Sequence, residues 1–154
     1  MSILGGLDNE MEQEKLEEQQ NERNVTEFTE TKPKRRPFYY WTVRGRDYKL
    51  KLTTGMIEKL ENKYRTNVLN LVGSDGIPAL SVMLTIIQAA MAPWEHKVSY
   101  KDVQKLYDLW SEAGGNQMDF YAKILMPTLA VSGFFTDQQA ESMLESLKDM
   151  DNMM

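Results

Sequence analysis

The sequence contains no cysteine and a single histidine, His96, and both scarcities restrict the chemistry available to the chain. Without cysteine there can be no disulfide, thiolate nucleophile, Cys-ligated zinc or iron–sulfur cluster. One imidazole alone provides neither a Cys–His pair nor a multi-histidine metal site. His96 falls in a predicted loop beside Trp94 and Glu95, where we interpret it as a solvated residue. We therefore expect no enzymatic activity, no metal and no cofactor.

Other patterns that carry chemistry are also missing. Carboxylates are abundant, but those in the predicted helices fall on the outward faces, where they serve solubility. The glycine-containing residues 72–76 lack the lysine and spacing of a phosphate-binding P-loop and the repeated glycines of a dinucleotide-binding turn. We interpret this stretch as a turn.

Long uncharged stretches are scarce as well, and residues 77–92 form the one that organises the chain. On a helical wheel their apolar side chains cover more than half of the circumference, with Ser81, Thr85 and Gln88 together on the remaining arc. Between Pro78 and Pro93 such a helix measures roughly 22 Å, shorter than the ~30 Å hydrocarbon core of a bilayer. The pattern favours a buried central helix over a membrane span.

Charge divides the chain into three zones. Residues 1–31 carry nine acids and two bases, residues 32–51 carry eight bases and one acid, and the remainder is mildly acidic. The first zone holds few bulky apolar residues, so we expect disorder there. It also lacks the basic start and apolar run of a signal peptide, so we expect the protein to remain where it is made. We predict an acidic tail with a basic linker over residues 1–37, a folded domain over 38–148 and a flexible C-terminus over 149–154.

A β-hairpin is predicted at the start of the domain. With Gly45 and Arg46 as a two-residue turn, Arg44 faces Asp47 and Trp41 faces Leu50. In this register the apolar residues share one face and the polar residues share the other. A lone hairpin is only marginally stable, so the face that carries Trp41 must pack on helices.

Capping signals divide the rest into about five helices. The predicted N-terminal caps are, in chain order, Thr53 or Thr54, Ser99 with Asp102, Asn116 with Asp119, and Thr136 with Gln139. Apolar spacing directs Trp110 and Met118 inward, and Pro127 is expected to bend its helix. The predicted fold class is mainly α: a compact bundle of about five helices with a small N-terminal β-hairpin and a disordered acidic tail.

Two groups of residues are candidates for binding a partner. The first combines bases with aromatic rings, as a nucleic-acid binder does, although Tyr39 and Trp41 are required for the core face of the hairpin. The second is the methionine-rich C-terminus. It is interpreted either as an adaptable protein-binding surface or as a frayed end of the chain. The candidate residues are Lys34, Arg35, Arg36, Tyr40, Arg44, Arg46, Met150, Met153 and Met154.

From the hairpin onward, over about residues 38–135, the chain resembles the tail assembly chaperones of long-tailed, siphovirus-like bacteriophages and of Gram-positive prophages. The resemblance lies in the order and spacing of short segments, and the long acidic N-terminal tail departs from it. The segments are Tyr48-Lys49-Leu50-Lys51-Leu52-Thr53-Thr54 running into Ile57-Glu58-Lys59-Leu60-Glu61, Ile77-Pro78-Ala79-Leu80-Ser81, Val98-Ser99-Tyr100-Lys101-Asp102-Val103, and Gln117-Met118-Asp119-Phe120 leading to Val131-Ser132-Gly133-Phe134.

The resemblance implies a small, non-enzymatic, mostly helical protein of the host cytoplasm. Members of the family bind the tape measure protein, keep it soluble while tail tube subunits are recruited, and are absent from the mature virion. The partners implied are thus the tape measure protein and the tail tube protein, with no membrane involved; homo-oligomerisation stays open. The alternative is a small nucleic-acid-binding or packaging-associated adaptor that uses the basic aromatic residues 32–46.

Overall fold

The computed structural model describes residues 37–73 and 76–152, with only the backbone described for residues 150–152. Over these residues the protein is mainly helical, as predicted, with one two-stranded antiparallel sheet. In chain order the elements are β1 (Tyr39–Val43), β2 (Arg46–Leu50), α1 (Thr54–Tyr64), α2 (Val68–Gly73), α3 (Leu80–Met91), α4 (Tyr100–Glu112), α5 (Gln117–Asp119), a π-helical segment (Phe120–Leu125), α6 (Met126–Val131) and α7 (Asp137–Asn152).

The hairpin forms, but its predicted register is wrong by two residues. Val43 pairs with Arg46 and Trp41 with Tyr48, so the turn residues are Arg44 and Gly45 rather than Gly45 and Arg46. Both turn residues have positive φ (53° and 79°), which is the backbone of a type I′ turn and matches the twist of the strands. A shift of two residues preserves the side-chain alternation. Trp41 therefore still faces the core, fully buried.

The predicted cap of the first helix is confirmed. The Thr53 side chain accepts a hydrogen bond from the Met56 N–H, and α1 follows directly. Arg65 then adopts a left-handed conformation (φ 57°), which ends α1 before the predicted continuation. The continuation forms the separate short helix α2, which buries Val68 and Val72.

Helix α3 is the centre of the core, and a larger part of its circumference is buried than the apolar pattern predicts. Every residue from Met83 to Met91 is buried, including Thr85 and Gln88 of the predicted polar arc. These two polar groups are satisfied locally. The Thr85 hydroxyl donates to the Ser81 carbonyl at 2.7 Å, and the Gln88 side-chain amide donates to the Val98 carbonyl at 3.4 Å. Ser81 remains exposed at the start of the helix.

Four aromatic rings join α4 to the hairpin and to the π-helical segment. The predicted capping box of α4 is present, since Ser99 and Asp102 each accept a hydrogen bond from the other's backbone N–H. One helical face then brings Tyr107 and Trp110 against Phe120, with ring centroids 5.1 and 5.6 Å away. Trp41 completes the cluster at 5.2 Å from Phe120. Tilted and edge-on pairs of this kind add stability beyond their buried area.

A π-helical segment lies just before Pro127, the residue at which the sequence predicts a bend. The Met126 N–H reaches back five residues to the Tyr121 carbonyl, and Pro127 has no N–H to donate. The Thr128 hydroxyl donates to the Ile124 carbonyl at 2.7 Å and satisfies it. Met118 does not point inward as predicted, since it is 62% exposed; Phe120 is buried instead. Helix α5 has only three residues, and the wider turn of the π-helical segment that follows changes the helical phase, so Phe120 rather than Met118 is buried.

Helix α7 packs chiefly on α6 and begins at the predicted cap. The Gln139 N–H donates to the Thr136 hydroxyl and the Thr136 N–H to the Gln139 side chain, at 3.1 and 3.0 Å. Ala140 is buried, and the other members of the predicted stripe, Met143, Leu144 and Leu147, are half-buried. Within residues 37–73 and 76–152, no helix combines the length and apolar character needed to cross a bilayer.

Candidate functional site: a cleft beside the hairpin

The structure describes three of the nine predicted partner-binding side chains. Lys34, Arg35, Arg36, Met153 and Met154 lie outside the described residues, and Met150 is described by its backbone alone. The predicted disordered tail, residues 1–31, also lies outside them. Tyr40, Arg44 and Arg46 belong to the hairpin and its turn.

Of the predicted partner-binding residues that the structure describes, the two arginines Arg44 and Arg46 both meet acidic residues of the helical body. Arg46 forms an ion pair with Glu95 at 3.2 Å, and its guanidinium lies 4.7 Å from the centre of the Tyr48 ring. Arg44 reaches Glu112 at 3.5 Å, but both of these side chains are about two-thirds exposed (63% and 68%). An exposed pair of this kind contributes little stability. Arg46 is the better anchored of the two because Glu95 is only 17% exposed.

Most of the predicted stacking rings are occupied inside the protein. Trp41 is fully buried, and the Phe38 ring packs edge-on against Trp94 with centroids 4.7 Å apart. The Lys49 and Lys51 ammonium groups lie 4.5 and 5.2 Å from the Phe38 ring centre. Tyr40 is 48% exposed. Tyr40 thus keeps half of its surface available for stacking on a base, whereas Phe38 already packs on Trp94.

A cleft of about 350 Å³ opens between β2, the loop after α3, and α4. Its apolar lining comes from Tyr48, Met91, Val98 and Leu106. Its polar and charged lining comes from Arg46, Glu95, His96, Asp102 and Lys105. We call this site the hairpin cleft. An apolar floor with a few polar groups around it is the usual make-up of a binding site.

The two carboxylates of the hairpin cleft are already engaged within the protein. One Glu95 oxygen pairs with Arg46, and the other accepts a hydrogen bond from the Lys49 backbone N–H at 3.3 Å. Asp102 accepts a hydrogen bond from the Ser99 N–H at 3.0 Å as part of the capping box of α4. Within the described residues, His96 and Lys105 form no ion pair, and both are exposed. The groups left available to a ligand are therefore mainly hydrogen-bond donors and a cation.

The arrangement offers apolar surface and charged groups for contact with a ligand. Among the described residues, no group of three His, Asp or Glu side chains is placed to hold a metal ion. An apolar side chain can enter the floor while its polar neighbours contact Arg46 and Lys105 at the rim. This is how an amphipathic helix presents anchors at positions i, i+3 and i+4 to a groove.

Sequence reasoning identified Arg46 as a candidate but did not find the cleft around it. Glu95 and His96 were assigned to a loop, and Lys105 to the outward face of α4, which is where the structure places them. Their proximity to Arg46 arises only when β2 packs beside α3 and α4. The opposite charges of Arg46 and Glu95 were the available signal, but charged residues are too common in this sequence for that signal to stand out.

Comparisons of the chain with protein-family models, with curated proteins and with solved structures give no match.

Proposed function

We propose that this protein is a non-enzymatic phage tail assembly chaperone that binds the tape measure protein and helps to recruit tail tube subunits. It would act in the host cytoplasm during tail morphogenesis and be left out of the mature virion. The proposal rests on the resemblance in the order and spacing of the segments between residues 48 and 134.

The observation that carries the proposal is where these segments lie in the fold. The first runs from β2 through the Thr53 cap into α1, and the second leads into the buried helix α3. The third is the capping box of α4, and the fourth begins at the Asn116-capped α5. Most of the resembling segments thus lie where helices begin, and the last, residues 131–134, lies at the end of α6. Segments at such positions support the proposal more than scattered similarities would.

The hairpin cleft supplies a surface suited to the proposed partner. A tape measure protein is a long helical chain, and the anchors on one face of such a chain need an apolar groove with a polar rim. The floor residues Tyr48 and Leu106 are half-buried, so they are accessible to a ligand. Binding at this site requires no chemistry beyond burial and charge pairing.

Co-expression of the full chain with the tape measure protein of the same phage tests the proposal. We expect the soluble yield of the tape measure protein to rise and a pull-down to recover both proteins. A cleft variant, Leu106→Asp, should reduce the recovery, whereas Lys101→Asp, an exposed change on the same helix, should not. Circular dichroism of both variants verifies that they are folded.

The opposite result would favour the alternative interpretation. If neither the tape measure protein nor the tail tube protein is recovered, and the purified chain instead retains DNA or RNA in a salt-dependent manner, the chaperone proposal is wrong. The segment 32–46 would then be the site to examine, with Tyr40 as its exposed ring.

A further inference from the structure

We infer that the acidic segment 8–31 of this chain docks in its own hairpin cleft. The inference is independent of the proposed function, because it rests on the cleft, its charges and the sequence of the segment. It assigns a role to the acidic zone that the resemblance does not explain.

The lining of the cleft matches the composition of the segment. The floor is apolar, with Tyr48, Val98 and Leu106 half-buried around the buried Met91. The segment carries four bulky apolar residues, Met11, Leu16, Val25 and Phe28, and each lies within three residues of a carboxylate. Any of these side chains that enters the floor therefore brings negative charge to the rim.

The rim can accept an additional negative charge because its own carboxylates already have partners within the protein. Glu95 is held by Arg46 and by the Lys49 N–H, and Asp102 caps α4. Lys105 has no ion-pair partner within the described residues, and Arg46 keeps 68% of its side chain exposed. A carboxylate that approaches the rim thus finds Lys105 and the exposed part of the paired Arg46 side chain, and it does not need to displace an existing acid. The zone as a whole carries nine acids against two bases, so its charge is opposite to that of these two side chains.

The connection between segment and cleft is short. The described chain begins at Pro37, and Phe38 packs on Trp94, which directly precedes the cleft residues Glu95 and His96. Six residues, 32–37, can span at most about 20 Å, so residue 31 is tethered close to the cleft. Such a tether gives an effective concentration on the order of millimolar. Even a weak intrinsic affinity is then sufficient for docking.

Docking would make the cleft conditionally available. A partner must compete with a tethered segment, and it gains access when it offers better anchors or a higher local concentration. The acidic zone would then reduce non-specific binding at the cleft, including binding of nucleic acid, by occupying Arg46 and Lys105.

Paramagnetic relaxation enhancement in the full chain tests this inference. Because the chain has no cysteine, Asn21→Cys provides a single spin-label position that leaves every charge in place. We expect the label to reduce the amide signals of His96, Lys105 and Leu106 by roughly twofold or more, as intramolecular docking at high effective concentration requires. In the same labelled chain, Lys105→Glu should restore these signals. Lys148→Glu, an identical change on α7 at an exposed residue outside the cleft, should not.

Two further measurements exclude other origins of the effect. About 0.5 M salt should restore the signals, because screening shortens the range of the attraction. A mixture of spin-labelled chain and isotope-labelled chain without the spin label should show no loss of signal, because the docking is within one chain. The inference is overturned if the cleft signals are unaffected, if their loss persists in Lys105→Glu and in high salt, or if it appears equally in the mixture.

Discussion

Replacing Gly115 by alanine tests the packing of the aromatic cluster most directly. A Cβ at this position would lie 2.4 Å from Cε3 of Trp110, whereas ordinary contact begins near 3.4 Å, so the indole must move by about 1 Å. Behind Trp110 are Phe120 at 5.6 Å, Tyr107 at 5.7 Å and Trp41 at 6.2 Å, which resist that movement. Overpacking of this kind costs about 1 to 3 kcal/mol. The φ of Gly115 is not positive, so alanine fits the backbone there. Alanine also lowers the conformational entropy of the unfolded chain, which stabilises the folded protein by about 0.4 to 1 kcal/mol.

We therefore expect Gly115→Ala to lower the free energy of unfolding by about 1 to 2 kcal/mol, measured by urea denaturation followed by circular dichroism. Gly73→Ala is the matched control, because its Cβ would meet nothing within 4 Å and its φ is not positive; it should not destabilise the protein. The same Gly115→Ala change made in a Trp110→Leu background should cost far less. An equal cost in both backgrounds would show that contact with the indole is not the cause.

Three further predictions concern capping, ionisation and the turn. Ser99→Ala should reduce stability by about 1 kcal/mol in urea denaturation, because it removes the capping box of α4, while Ser142→Ala, exposed on α7, should have little effect. Burial raises the pKa of Tyr64 above its ordinary value of 10.0, so ionisation of this phenol favours the unfolded chain. The free energy of unfolding should therefore be unaffected by Tyr64 below pH 10 and should fall as pH rises beyond it. In Tyr64→Phe the free energy of unfolding should fall less steeply over the same pH range. Arg44→Asn should leave the thermal midpoint equal or raise it, because asparagine tolerates the positive φ of the turn and the exposed pair with Glu112 contributes little.

The sequence was sufficient to predict the features that depend on neighbouring residues. The caps at Thr53, Ser99, Asn116 and Thr136 are recognisable because a side chain bonds the backbone three residues later. The apolar run of α3 was recognisable because its length and lack of charge leave few alternatives to burial. Both signals are local, and both are confirmed.

The incorrect details are those that the apolar pattern alone does not determine. Two hairpin registers that differ by two residues place the same side chains on the same face, so the apolar pattern could not choose between them. Gln88 is a polar residue, but it is buried because the Val98 carbonyl accepts a hydrogen bond from its side-chain amide. Met118 and Phe120 compete for the inward position, and the π-helical segment after Asp119 decides the outcome.

The hairpin cleft belongs to the same class of features. Its walls come from β2, the loop that contains Glu95, and α4. No periodicity within any one of these stretches indicates the other two. The functional hypothesis therefore rests on a resemblance in order and spacing, while the candidate cleft is visible only in the folded chain.

The contact between Lys51 and the end of α3 has a consequence for how the protein opens. The Lys51 N–H donates to the Ala90 carbonyl at 3.0 Å, and the Trp94 indole N–H donates to the Lys51 carbonyl at 2.9 Å. The extension of β2 therefore satisfies a carbonyl that the end of α3 would otherwise leave unpaired. The hairpin cannot detach without exposing this end of the central helix. In native-state hydrogen exchange the hairpin and α3 should thus behave as one cooperative unit, although an isolated hairpin of this size would exchange freely.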